Sequence, residues 1–186
     1  MSIMNVFLKR RILLVIVFIE LSILTVNAQK AQINVHEMAD LAGTWALNPR
    51  ESSSGGNPAK DFKNYILTIS VASEEIRMKK SYDFRGQHIE YELVLYADKR
   101  GETNRFPNLA ENKIEKRKSK TQWKKGKLVS RFTYDIGIGR FTADVTEEYR
   151  LSKAGDKLFV DTFQENSQFP LPREALRSRR VYDRRK

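Results

Sequence analysis

Hydrophobic and polar residues alternate along most of the chain beyond residue 40, in short runs that end at turn residues. In one clear run Tyr65, Leu67, Ile69 and Val71 recur at every second position. A period of two places successive side chains on opposite faces of a strand, so each run predicts a strand with one apolar face. No stretch has sustained helical periodicity. The pattern therefore predicts an all-β domain.

The alternating runs predict eight or nine strands, separated by turns such as Arg85-Gly86, Lys125-Gly126 and Lys153-Ala154-Gly155-Asp156. Ser52 to Pro58 is predicted as a long loop, and residues 101–112 as a polar connection. The predicted strands are residues 41–47, 65–71, 76–84, 89–95, a charge-rich run that ends at Trp123, 128–136, 141–151, 158–162 and a basic segment around Val181-Tyr182.

Most of these connections are short, so strands adjacent in sequence are expected to pair as antiparallel hairpins. A sheet of this many short strands has to close or to split in two, because open edges promote aggregation. The sequence therefore predicts an antiparallel up-and-down β-barrel of about eight to nine strands, lipocalin-like in shape. A two-sheet β-sandwich with the same strand order is the alternative.

The first residues have the three parts of an export signal. Lys9, Arg10 and Arg11 precede an apolar run from Ile12 to Leu24, and Val26-Asn27-Ala28 is a small-residue cleavage site. We expect cleavage after Ala28 and a periplasmic or secreted protein, with an uncleaved membrane anchor as the alternative. The predicted organisation is a signal peptide at 1–28, a linker at 29–40 and one β domain at 41–186.

The composition limits which partners the protein is expected to bind and how its fold can be stabilised. The chain has no cysteine, which excludes disulfides and bacterial lipid modification, so stability has to come from the core. The net charge of +11 favours anionic neighbours, and it bears on association rather than on the fold.

The first strand resembles the opening of a known group of barrels. Gly43-Thr44-Trp45 is similar to the Gly-x-Trp signature of lipocalins and other calycins, and the wider phrase from Asp40 to Pro49 resembles the opening of small exported bacterial lipocalin-like domains. Leu67 to Ser70, Trp123 to Leu128 and Arg180 to Arg184 follow in the order found in that group. The resemblance implies a barrel that can hold a small apolar molecule. It also implies that Trp45 closes the base under an arginine of the last strand, either Arg180 or Arg184.

If the apolar rows face inward, two charged residues, Lys80 and Glu147, lie inside the barrel. One hypothesis is a ligand site in which Lys80 binds an acidic group and aromatic side chains form the walls. The alternative is that both charges lie in water near strand ends, or that they pair with each other. The candidate interior residues are Trp45, Met78, Lys80, Tyr82, Tyr91, Phe132, Tyr134, Glu147 and Tyr149.

A basic run in the middle of the chain is dense enough to bind anionic groups. An anionic membrane or envelope polymer is the expected partner there, with nucleic acid less favoured, and a merely solvated face is the alternative. The candidate residues of this surface are Lys116, Arg117, Lys118, Lys120, Lys124 and Lys125.

Catalytic motifs are lacking in the sequence. The two histidines, His36 and His88, are far apart, and the chain has no Gly-x-Ser-x-Gly nucleophile turn. The sequence predicts no enzyme, no metal and no cofactor. It favours an exported binding protein that holds a small hydrophobic ligand, with or without an acidic group. The alternative is an envelope-associated module with a solid barrel and a basic binding surface.

Overall fold

Antiparallel strands cover most of the described chain and form one sheet that wraps into a nearly closed barrel of ten strands. The structure is a computed structural model that describes residues 35–54, 62–108, 113–135, 142–166 and 176–185. The strands are β1 (Gly43–Leu47), β2 (Ser53–Ser54), β3 (Phe62–Ala72), β4 (Glu75–Phe84), β5 (Gln87–Tyr96), β6 (Glu102–Asn108), β7 (Lys113–Lys124), β8 (Lys127–Asp135), β9 (Thr142–Leu151), β10 (Lys157–Asn166) and β11 (Leu176–Arg184).

The strand order confirms the predicted lipocalin-like antiparallel barrel. Neighbours along the sheet run β5-β4-β3-β1-β11-β10-β9-β8-β7-β6, and the short β2 pairs with β11 outside this path. From β3 to β5 and from β6 to β11 each strand pairs with the next one in sequence, and β1 pairs with β11 where Trp45 lies opposite Arg184. The two-residue hairpins were predicted correctly, since both central residues have positive φ at Arg85-Gly86 and at Lys125-Gly126.

One barrel strand lies where the sequence predicted a polar connection. β6 occupies residues 102–108, and its inward side chains include the buried polar residues Glu102 and Asn104. Because both its faces are polar, its sequence carries no apolar alternation that could have revealed it. The barrel consequently has more strands than the eight or nine expected.

Several predicted segments lie outside the described residues. These are the signal peptide at 1–28, the linker up to residue 34, residues 55–58 of the predicted Ser52 to Pro58 loop, Ile136 and Phe141. The described part of that loop is not entirely a loop, because Ser53–Ser54 form β2 against β11. Residue contacts divide the chain into units 1–36 and 37–186, and all the strands belong to the second. No helix in the described ranges is long and apolar enough to cross a membrane.

The base of the barrel is packed around Trp45, which is fully buried. Its indole Nε1 donates to the Leu41 carbonyl at 3.0 Å, and the Arg184 guanidinium lies over the ring at 4.6 Å from the centroid. The same guanidinium donates to the carbonyls of Asp40 and Ala42. Of the two arginines proposed to cover this tryptophan, the structure therefore selects Arg184. Met38, within the predicted linker, is also buried in this core.

Strands β5 and β6 are joined by a side chain instead of a regular ladder. The Asn104 amide donates to the Val94 carbonyl at 2.9 Å, and the Val94 amide donates back to Asn104 Oδ1 at 2.8 Å. Nearer the base the chain after β5 pairs directly with β7, since Trp123 N donates to the Ala97 carbonyl and Lys99 N to the Thr121 carbonyl. Asn104 thus takes the place of a peptide unit in closing the wall.

We expect Asn104→Ala to lower the free energy of unfolding by about 2 to 3 kcal/mol, because both polar groups of the Val94 backbone lose their partner. Urea denaturation measures this loss, and the amide of Val94 should exchange faster with solvent. Thr103→Ala, which changes the exposed neighbour on the same strand, is the matched control. Equal losses in the two variants would contradict the closing role of Asn104.

Candidate functional site

All nine residues predicted to line the barrel interior belong to inward-facing rows. The structure separates them into two groups. Trp45 and Met78 are fully buried in the packed base, where they serve the core. The other seven, Lys80, Tyr82, Tyr91, Phe132, Tyr134, Glu147 and Tyr149, lie farther from the base, in a charged layer and in the aromatic walls beside it.

The charged layer consists of Lys80 on β4, Glu147 on β9 and Arg180 on β11. Lys80 is only 5% exposed, and its Nζ lies 5.9 Å from the centroid of the Tyr91 ring. Glu147 accepts a hydrogen bond of 2.6 Å from the Tyr149 hydroxyl. Within the described part of the chain Lys80 has no hydrogen bond and no ion pair within 4 Å. The two charges predicted from sequence are therefore both inside, interacting through space rather than in a close ion pair.

All three charged groups of this layer keep their ionised forms despite burial. Burial on its own raises the pKa of Glu147, but Lys80 and then Arg180 outweigh it, so that the pKa is lowered. Burial likewise opposes the charged form of Lys80, yet Tyr149, Tyr91 and Glu147 raise its pKa. The pKa of Arg180 is raised too, against burial, by its neighbours Tyr182, Tyr65 and Glu147. Two cations therefore face one buried anion at neutral pH.

Aromatic rings form a continuous wall next to this layer, away from Trp45. Neighbouring rings are in contact along the series, from the Phe62–Tyr82 pair at 5.0 Å between centroids to the Phe132–Tyr134 pair at 6.4 Å. Burial raises the pKa of Tyr82 to about 12, so its hydroxyl stays neutral. The rings are Phe62, Tyr65, Tyr82, Phe84, Tyr91, Phe106, Phe132, Tyr134 and Tyr182.

Arg117 belongs to this interior, and its assignment to the outer basic surface was wrong. Its guanidinium lies over the rings of Phe106 and Tyr134, at 4.6 and 4.8 Å from their centroids, and 3.3 Å from Glu115. The reason is the alternation of β7, which places Arg117 on the face opposite to Lys116 and Lys118. Lys120 and Lys124 share that outer face, and Lys125 lies in the turn.

Two buried polar atoms of the interior have no hydrogen-bond partner among the described residues. They are Nε of Arg117 and Oγ1 of Thr162. Thr162 lies directly opposite Glu147 in the β9–β10 ladder, so the unpaired hydroxyl belongs to the charged layer. Such atoms are rare in proteins and are candidates for hydrogen bonds to a ligand.

Sequence reasoning missed several interior residues: Tyr65, Phe106, Arg117, Thr162, Arg180 and Tyr182. Tyr65 stands in a recognised apolar row and could have been included. Arg180 and Tyr182 flank Val181 in a basic segment, whose alternation is hidden because the inward position 180 carries a charge. Phe106 lies on the unpredicted β6.

Comparisons with known proteins support the fold. No protein-family model matches this chain, and no curated protein sequence matches it. A solved structure described as human cRBP IV, a cellular retinol-binding protein, is similar with a TM-score of 0.51 and 19% identity. The similarity covers 79% of this chain and 99% of that one. At this identity it shows a shared lipocalin-like barrel and no more.

We expect Glu147→Gln to lower the free energy of unfolding by about 3 kcal/mol at neutral pH, because Lys80 and Arg180 lose their buried counter-charge. The difference from the wild type should shrink as the pH falls below 4.5, the ordinary glutamate value. The sign follows from the lowered pKa: ionised Glu147 stabilises the fold above the unfolded-state pKa, and this contribution is lost on titration through the folded-state pKa.

Urea denaturation across a pH series measures this effect. Glu148→Gln is the control, since Glu148 is the next residue and pairs with Lys127 at the surface at 2.9 Å. Its substitution should cost less than about 1 kcal/mol. A Glu147→Gln cost that stays constant down to acidic pH would argue against an ionised Glu147.

Proposed function

We propose that the chain is an exported, non-enzymatic binding protein that holds a small hydrophobic molecule with an acidic group inside its barrel. The observation that carries the proposal is the charged layer, in which Lys80 and Arg180 face the single carboxylate of Glu147 beside an aromatic wall. Among these three groups one positive charge is not balanced by Glu147. A ligand carboxylate would balance it, and the aromatic rings would enclose the apolar part.

Three further features support this assignment. The Thr162 hydroxyl is available as a hydrogen-bond donor beside Glu147. Arg117 lies between two rings of the wall, where it adds a third cationic group within electrostatic reach of Glu147. The similar barrel of human cRBP IV bears the name of a protein that binds retinol, a small hydrophobic ligand. A binding role on this fold needs no catalytic residue.

The test compares a long-chain fatty acid with the fatty alcohol of the same length by native mass spectrometry and by competition with a fluorescent apolar probe. The wild type should bind the acid about tenfold or more tightly than the alcohol, because a charge-assisted hydrogen bond contributes about 1.5 to 3 kcal/mol. Lys80→Met should reduce this preference and leave binding of the alcohol nearly unchanged.

The matched control is Lys79→Met, which removes the next lysine along β4, exposed and paired with Glu90 at 2.8 Å on the outer face. It should keep the preference of the wild type. Equal affinity of the wild type for acid and alcohol would refute the acidic ligand. Binding of neither would refute the interior site altogether and favour the alternative of a solid barrel with an external binding surface.

Export is a separate part of the proposal, and it rests on the sequence features of residues 1–28. When the full chain is produced in a bacterial host, the intact mass of the periplasmic or secreted protein should correspond to residues 29–186. An Ala28→Asp variant should be processed poorly, because the cleavage site requires a small residue there. An unprocessed, membrane-associated chain would instead support the retained anchor.

A further inference from the structure

The outer face of β6, β7 and β8 carries an open groove of about 1230 Å³ that is lined by basic side chains. Alternate residues of one strand lie about 6.7 Å apart on the same face, so Lys116, Lys118 and Lys120 form a straight row of charges. The cations whose side chains lie on the outer face of this basic groove are Lys99, Lys116, Lys118, Lys120, Lys124 and Arg131, whereas Arg117, which also borders it, directs its guanidinium onto the interior rings.

These cations are unpaired, unlike those on the outer face of β4 and β5. Within the described residues none of the six has a carboxylate within 4 Å. On the outer face of β4 and β5, by contrast, Arg77 pairs with Glu75 and Glu92, and Lys79 pairs with Glu90. The six cations of the groove therefore present uncompensated positive charge on the outer face of β7 and its neighbours.

Like charges also lie directly opposite each other in this part of the sheet. Lys120 faces Arg131 across β7 and β8, and Lys116 faces Arg105 across β6 and β7. Such pairs destabilise a sheet, whereas cross-strand pairs of opposite charge stabilise it. The arrangement reduces stability, as expected of a surface maintained for binding an anion.

The remaining groups of the groove distinguish between anionic partners. Thr103, Thr133 and Thr146 provide hydroxyls, and Asp144 provides a carboxylate whose Oδ1 accepts a hydrogen bond from Thr133. The Asp144 carboxylate repels the anionic groups of any polymer, but it can accept a hydrogen bond from a sugar hydroxyl, a donor that a phosphate chain lacks. The one aromatic residue among the described lining, Phe132, packs inward on Phe106, so the groove has no platform for stacking bases.

We infer that the basic groove binds a linear acidic polysaccharide, with the lysines on its carboxylates and with Asp144 and the threonines on its hydroxyls. A concave surface fits a chain better than a flat bilayer. Lysines are compact point charges that tolerate variable spacing of the anionic groups along a polymer. The inference is independent of the interior site, because the groove lies on the opposite side of the barrel wall.

The experiment measures binding of labelled oligogalacturonate to the full chain across a salt series. A variant with Lys116, Lys118, Lys120 and Arg131 all changed to Gln should bind at least about tenfold more weakly, and the slope of log K against log salt should fall by about 3. The control changes four exposed cations elsewhere, Arg50, Lys63, Lys153 and Arg185, to Gln. It removes the same net charge and should lose less than about threefold.

A second variant tests the choice of polymer. Asp144→Ala should weaken binding of oligogalacturonate and strengthen binding of inorganic polyphosphate, because it removes both an acceptor for hydroxyls and a negative charge. The thermal stability of the four-site groove variant should equal or exceed that of the wild type, since repulsion between like charges is relieved.

Several results would overturn the inference. One is equal loss of affinity in the groove variant and the control, which would indicate a nonspecific effect of net charge. Tighter binding of polyphosphate, of oligo(dT) of matched charge or of phosphatidylglycerol vesicles would assign the groove to another class of partner. Uptake of fatty acid by the same groove variant is measured separately, and unchanged uptake keeps the interior proposal apart from a failure of the groove.

Discussion

Closure of the sheet is the constraint on which the rest of this structure depends. A sheet with open edges exposes unpaired backbone groups, and here the meander is closed by backbone pairing of β1 with β11 and by Asn104 between β5 and β6. Glu102 on the same strand accepts a hydrogen bond from the Tyr96 backbone NH of β5 at 3.4 Å. Its carboxylate also accepts from the hydroxyls of Ser119 and Thr121 at 2.6 Å, so the inner side of the wall is polar here.

The charged layer has a different origin, since nothing in barrel closure requires it. A buried ion cluster is commonly no more stabilising than well-packed apolar side chains of the same volume. Lys80 lies opposite Leu67 and Tyr91, and Arg180 lies opposite Val160, so these charges stand among apolar and aromatic side chains. Their presence is thus easier to understand as recognition than as stability. The unpaired hydroxyl of Thr162 in the same layer leads to the same conclusion.

The sequence was informative where the two faces of a strand differ in polarity. The rows through Leu67, Met78 and Leu93 predicted β3, β4 and β5, and the alternation correctly placed Lys80 and Glu147 inside. It was uninformative where polar residues face both ways. β6 was read as a connection for this reason, and Arg117 was grouped with the lysines that flank it. The sequence pattern also could not predict long-range contacts, because no local pattern decides whether Arg180 or Arg184 covers Trp45.

The alternation along β7 places cations on both faces of the strand, and the two faces attract anions in different ways. The net charge of the chain does not distinguish them. Lys116 and Lys118 point into water, where salt screens their charge over about 8 to 10 Å at ordinary ionic strength. Arg117, between them, points into an interior of aromatic rings, where screening is weak and a single charge acts strongly over a short range. The outer face of β7 can therefore attract a polymer through many screened contacts. Its inner face can attract a single acidic group through a few contacts that are hardly screened. Raising the ionic strength should weaken anion binding on the outer face and leave anion binding on the inner face nearly unaffected.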